Sequence, residues 1–265
     1  MRLFLLIVIL LSSGLALGDD TPQWSNKEDA KYAGYLLSAF FNNNTYNSAQ
    51  TINWGEVEGW GSFMFTSKDM QGVLKNSEEF GHDKTFFGGM LHLDFGLPEH
   101  LTFGGRFSYL PRNLDNGTPD YALDDFVVSY IYAGLQVKYS MSHLVRDYTK
   151  GYVDVAVLGN YNYFGLYNHK RKKMRYHDFS PNLILSMKAE KTNRFLAAPY
   201  LGISPIFSSF SVKATDGSYE HHIPFTKFRV GLGAKFYLRP AYLNLEINPI
   251  SMPSYAVGLG FQIVQ

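Results

Sequence analysis

From Thr226 to Leu238 apolar residues alternate one for one with polar or small ones. Phe228, Val230, Leu232, Ala234, Phe236 and Leu238 share one side, and Lys227, Arg229, Gly231, Gly233, Lys235, Tyr237 and Arg239 the other. Successive side chains of a strand point to opposite faces, so this stretch predicts one strand with an oily face and a wet one. Near the C-terminus the pattern recurs: Tyr255, Val257, Leu259, Phe261 and Ile263 alternate with Ala256, Gly258, Gly260 and Gln262. Bulky apolar groups on one face, with charges and glycines on the other, mark the wall of a membrane barrel around a polar interior.

Similar alternation predicts strands at 54–65, 86–95, 101–109, 126–140, 152–163, 174–190, 195–214, 225–238, 242–248 and 254–264. Pro181, Pro199 and Pro205 weaken the case that 174–190 and 195–214 are each one strand. Long connections fall at 66–85, 111–125, 164–173 and 215–224 and alternate with short ones near Pro98, Thr192 and Pro240, with 141–151 intermediate. That is the parity of an outer-membrane barrel, with loops at one end and turns at the other. It places the first and last wall residues, and with them both termini, at the turn end. Ahead of the wall, Tyr32, Tyr35, Leu36, Ala39 and Phe40 recur at helical spacing, predicting a short helix that either plugs the barrel or packs at its rim. The fold class is therefore all-β: an antiparallel transmembrane β-barrel of about ten strands, twelve being the alternative, with a short N-terminal helix.

Composition adds an address. Arg2, the apolar run Leu3 to Leu11 and Ala16-Leu17-Gly18 form a secretory signal over 1–18, too short for a spanning helix. Residues 19–53 then form a periplasmic lead with the short helix, and 54–265 the barrel. Cysteine is absent, which excludes a disulfide scaffold. A formal net charge of +1 gives no ground for a nucleic-acid partner.

With its signal, alternating wall and C-terminal strand, the chain resembles bacterial outer-membrane β-barrel proteins. Gly258, Phe261 and Ile263 stand at the spacing of the strand by which the insertion machinery recognises such proteins, although Val264-Gln265 replaces the usual terminal aromatic. The resemblance implies a bacterial outer membrane location. It also implies outer-membrane lipids, lipopolysaccharide and the insertion machinery as partners, and a monomer as the expected state.

Candidate chemistry lies inside the barrel. Arg106, Lys138, Lys188, Lys227, Arg229, Lys235, Arg239 and Glu246 are predicted to line the lumen, with Asp94, Asp154, Glu56 and Glu58 as further acidic groups. Buried charges must be paired or wetted, so these form either the selectivity lining of a narrow pore or a paired network that closes it. Lys235 with Glu246 is the expected pair. Gly231, on the lumen face, is expected to accept serine, whereas arginine at Leu232 is expected to block assembly.

The basic run from His169 to Lys173, with Arg175, predicts a loop able to meet anionic groups such as lipopolysaccharide phosphates. His169, His177, His221 and His222 match no metal-ligand spacing, and no cofactor is expected. His92 falls on the lumen face beside Asp94 and Ser129 on the outside, so no nucleophile–base pair is predicted and no catalysis follows. The expected function is a narrow channel or transporter for small or hydrophobic solutes. The alternative is a closed structural or surface-binding barrel, and a lesser one a soluble secreted β-protein.

Overall fold

A computed structural model describes residues 27–42, 46, 48–66, 86–112, 128–167, 172–187, 196–214, 217–238, 240–250 and 254–263. The predicted signal over 1–18, Lys188, Arg239 and the run His169 to Arg171 lie outside the described residues. Ten strands make one closed antiparallel barrel: β1 (Val57–Thr66), β2 (Phe86–Leu97), β3 (Leu101–Arg112), β4 (Val128–Ser140), β5 (Val153–Tyr167), β6 (Lys172–Met187), β7 (Leu196–Ala214), β8 (Glu220–Leu238), β9 (Ala241–Asn248) and β10 (Ser254–Ile263). Each strand pairs with its sequence neighbours, and β1 closes on β10 from Val57↔Ile263 to Thr66↔Ser254. Two helices complete the described chain, α1 (Lys27–Phe41) and α2 (Ser142–Thr149). Neither is long and apolar enough to cross a membrane.

The predicted faces are the observed ones. Leu93, Phe103, Leu135, Leu185, Leu232 and Leu259 are exposed on the outside, and Asp94, Arg106, Gln136, Asn160, Lys235 and Glu246 are buried inside. An exterior of bare leucine and phenylalanine around a polar interior inverts the soluble-protein arrangement, and only a bilayer satisfies it.

The intermediate connection 141–151 is at the turn end as predicted and carries α2. One expectation about connections is corrected. The loops predicted at 164–173 and 215–224 shrink to 168–171 and 215–219, because β5 to β8 run on into them. β7 and β8 are 19 residues each, whereas about 9–11 suffice to span the bilayer. Pro224 falls within β8, where its missing N–H costs little. Among the described residues β9 pairs β8 only from Leu232 to Leu238, so Pro224 stands on an edge.

The other prolines are handled inside the wall. β6 and β7 are each continuous, but the ladder between them skips Ser180–Asn182 and Ser204–Ile206, resuming in the same register at Leu183↔Ile203. Pro181 and Pro205 thus stand opposite one another, two absent donors in one gap. The Ser204 hydroxyl lies 2.9 Å from the carbonyl oxygens of both Pro181 and Pro205 and can give its one proton to either or share it between them.

Candidate functional site

The lumen is occupied by the chain's own N-terminal part. On α1, Ala30, Gly34, Ser38 and Phe41 are buried against the wall, with Leu37 half-buried beside them. Of the predicted stripe Tyr35 and Ala39 are half-buried, and the side chains of Tyr32, Leu36 and Phe40 lie outside the described ones. The small residues Ala30, Gly34 and Ser38 recur every fourth position, which lets the helix axis approach the wall. A Cβ on Gly34 would lie 2.9 Å from the Phe225 ring and 3.0 Å from the Phe210 Cβ. Tyr35 meets Phe225 edge-on with centroids 4.7 Å apart, and the Lys227 ammonium sits 3.7 Å above the Tyr35 ring. Here α1 is near the loop end, where β7 and β8 protrude.

Nearly two turns further along, Phe41 stacks on Tyr132 at 4.3 Å and touches the rings of Phe164 and Tyr176. Asn42 donates to Asp178 Oδ2 at 2.8 Å and accepts from Asn162 and Ser180, both at 3.3 Å. Tyr46 follows. Its ring lies where Gly202 of β7 and Gly231 of β8 leave space, and a Cβ on either glycine would overlap it. The expectation that Gly231 accepts serine is therefore corrected: it faces the lumen as predicted, but the lumen there is full.

The stretch 48–53 then runs to the turn end, fastened by side chains of four strands. The Ala49 N–H donates to Ser186 Oγ at 3.1 Å and the Ile52 N–H to Thr102 Oγ1 at 3.1 Å. Lys138 Nζ donates to the carbonyls of Ser48 (3.0 Å) and Gln50 (3.4 Å), and the Tyr237 hydroxyl to Gln50 Oε1 at 2.9 Å. Gln262 anchors Glu56 at 2.9 Å where the chain turns into β1. At about 1.5 Å per residue α1 covers roughly 22 Å. The far end of the segment is fixed by contact, with Asn53 against Gly96 beside the turn between β2 and β3 and the Gly55 N–H donating to the Gly96 carbonyl. The lumen is crossed from end to end, with Lys27 at the loop end and β1 starting at the turn end. The expectation that both termini sit at the turn end concerns, on the N-terminal side, residues outside the described ones; the first described residue, Lys27, is at the loop end.

Charge inside is balanced. Among the described residues the buried ions are the cations Arg106, Lys138, Arg229 and Lys235 and the carboxylates Glu58, Asp94, Asp178 and Glu246. Arg229 Nη2 is 2.6 Å from Glu246 Oε1, its Nε donates to Asn248 Oδ1 at 2.7 Å, and its guanidinium carbon lies 4.2 Å over the Tyr46 ring. The second Glu246 oxygen accepts from the Tyr200 hydroxyl (3.1 Å) and the Tyr46 N–H (3.3 Å).

Lys235 reaches Glu58 on β1 at 2.8 Å, passing 3.8 Å over the Tyr242 ring. The expected pair of Lys235 with Glu246 is thus corrected to Arg229–Glu246 and Lys235–Glu58. In register, Glu246 faces Gly233, which leaves it free to lean towards Arg229. Gly258 and Gly260 of β10 carry no side chain across the path from Lys235 to Glu58. Arg106 is buried on β3 opposite Gly134, and Lys227 is half-buried at the mouth.

One pairing absent from the predictions appears in the wall. Ser62 Oγ lies 3.0 Å from His92 Nε2, and His92 stacks on Trp60 at 3.5 Å. Both residues are buried, and Asp94 is engaged by Trp60 Nε1 and Gln136 Nε2 rather than by His92. The carboxylate that orients an imidazole for acyl transfer is therefore committed elsewhere. His177 and His222 face outward on β6 and β8, with β7 between them. No group of three metal-ligating side chains is found among the described residues.

No protein-family model matches the chain, and no curated protein does. Solved barrels do. Ail, the attachment invasion locus protein of Yersinia pestis, is 8% identical over 79% of this chain and 99% of its own, with a TM-score of 0.34. Neisserial surface protein A is 10% identical over 78% and 95%, at 0.33. A major outer membrane protein from Thermus thermophilus is 11% identical over 79% and 100%, at 0.27.

Proposed function

We propose that this is a bacterial outer-membrane barrel held closed by its own N-terminal segment, with its dealings with other molecules conducted at the loop-end surface. The observation that carries this is the Tyr46 position. Its ring fills the notch between Gly202 and Gly231, and its backbone N–H is held by the Glu246–Arg229 pair. A pore needs a wetted path and, for ion selectivity, a lining biased to one sign. Four buried cations facing four buried carboxylates give no such bias. The location reading rests on the apolar exterior, and recovery of the protein in a soluble fraction without detergent would overturn it. Purified protein in a planar bilayer is expected to be electrically silent; discrete conductance steps from the intact chain would overturn the closed state.

A second reading, a narrow gated passage for small or hydrophobic solutes, is favoured by one feature. The described residues of the stretch 46–53, namely 46 and 48–53, are fastened by side chains and join no β-ladder, so the stretch can leave without breaking the wall. Behind it the lumen keeps polar groups such as Gln136, Asn160 and Asn182. Conductance that appears only after deletion of 27–53 would support this reading. Continued silence in a correctly folded deletion variant would leave the closed surface barrel.

A further inference from the structure

The protruding parts of β6, β7 and β8 carry an ordered outer face. Three rows are read from the registers. Phe179 and Phe207 stand side by side and form the top of the apolar band. One row above, His177 faces Ser209, which faces Pro224; above that, Arg175 faces Ser211, which faces His222. Lys173 and Lys213 stand opposite each other in the row above those. The predicted basic loop is thus in part a strand, which fixes Lys173, Arg175 and His177 on one face at every second position.

A groove of about 400 Å³ opens in this face, bordered by His177, Phe207, Ser209, Pro224 and Thr226. Glu220 is the acidic group there among the described residues, and Lys213 holds it at 2.9 Å. Among the described residues Arg175 therefore has no carboxylate on its own face. Neighbouring strands lie about 4.8 Å apart, so a row across three strands spans roughly 10 Å, the breadth of a phosphorylated sugar.

We propose that this groove, together with the Arg175–Ser211–His222 row that adjoins it, is a site for the phosphorylated sugar headgroup of an outer-leaflet glycolipid. Arg175 takes the phosphate, Ser209, Ser211 and His177 bond the sugar, and the acyl chains descend over Phe207 and Ile203. Guanidinium and hydroxyl donors above an aromatic rim match a phosphate set at the depth where headgroup meets chain. A free phosphate would leave the aromatic row and the groove beneath it unused, which is why the ligand is lipid. The proposal rests on the outer-membrane reading for which leaflet the loop end meets.

The test uses purified full-length protein in detergent and an acylated, bisphosphorylated diglucosamine lipid. Its dephosphorylated counterpart and inorganic phosphate serve as the other two probes. Arg175→Gln is expected to weaken binding of the phosphorylated lipid about tenfold or more, and Arg175→Lys to retain most of it. The intact protein should discriminate against both other probes by a similar factor. Each variant must keep the mobility of the folded barrel in cold detergent gels. Equal binding of the dephosphorylated lipid, equal competition by inorganic phosphate, or unchanged binding by a folded Arg175→Gln variant would each overturn the site. Because binding is read in detergent, recovery of the protein in a soluble cell fraction would sink the location reading without altering this result.

Discussion

Glu246 divides its two carboxylate oxygens between the barrel wall and the segment inside it: one binds Arg229 at 2.6 Å, and the other accepts the N–H of Tyr46 at 3.3 Å. One side chain of β9 thus ties the plug to a buried cation. Glu246→Ala strands that cation, and breaking a buried pair costs about 3–5 kcal/mol. The unfolding midpoint in detergent should fall. Adding Arg229→Met should recover part of the loss, whereas adding Lys235→Ala should be additive, because Lys235 belongs to Glu58. Recovery with Lys235→Ala instead would show the two pairs to be wrongly assigned.

Gly231→Ser should eject Tyr46 rather than be absorbed. The expected readout is new protease cleavage within 42–53 of a barrel that still runs as folded. Tyr46→Ala in the same chain should restore the space and reduce the strain, although the wall notch then lacks its filler. Leu232→Arg, one residue along and on the lipid side, should instead fail to assemble. A cation there costs about 2–4 kcal/mol at the bilayer midplane.

The path of the plug predicts an accessibility pattern, and a chain without cysteine makes it simple to read. On intact cells an impermeant maleimide should label Lys27→Cys, which is exposed at the loop end. Glu99→Cys, in the turn between β2 and β3, should react only after the outer membrane is opened. The reverse pattern would invert the barrel in the membrane.

Helix α2 carries Leu144 and Tyr148 exposed at a four-residue spacing, with Tyr152 exposed just beyond. These rings and Trp54, all at the turn end, suit the inner interface of the bilayer. Replacing Tyr148 and Tyr152 with aspartate should lower the yield of folded barrel in vesicles while leaving stability in detergent within about 0.5 kcal/mol. An equal loss in both media would show that the pair packs on protein.

Much of the wall was legible because a barrel strand has one strict period: Leu232 and Gly231 could be assigned to opposite faces from sequence spacing alone. The end of β8 was not, since Pro224 reads as a loop residue until its edge position is known. The plug was legible only as a helix. Tyr46 to Asn53 has no periodicity, because its partners are side chains of different strands rather than a ladder. Ala30, Gly34 and Ser38, small residues four apart, were the available sign that α1 packs closely against something. Ion-pair partners stayed hidden for another reason: Arg229 and Lys235 are long enough to reach past their register neighbours, so inward orientation does not identify a partner.

The opposed prolines of β6 and β7 bear on how the barrel selects its alignment as it assembles. In the native register both missing donors fall in one gap, and one Ser204 hydroxyl reaches both orphaned carbonyls. A slip of two residues would keep every apolar side chain on the lipid face, so the alternating pattern alone does not oppose it. The same slip separates Pro181 from Pro205 and opens two gaps in the middle of the wall in place of one, with only one of them within reach of Ser204. An uncovered carbonyl in hydrocarbon costs several kcal/mol. A feature that looks like a flaw in the ladder therefore acts as a proofreading mark, penalising the misalignments that hydrophobic patterning tolerates.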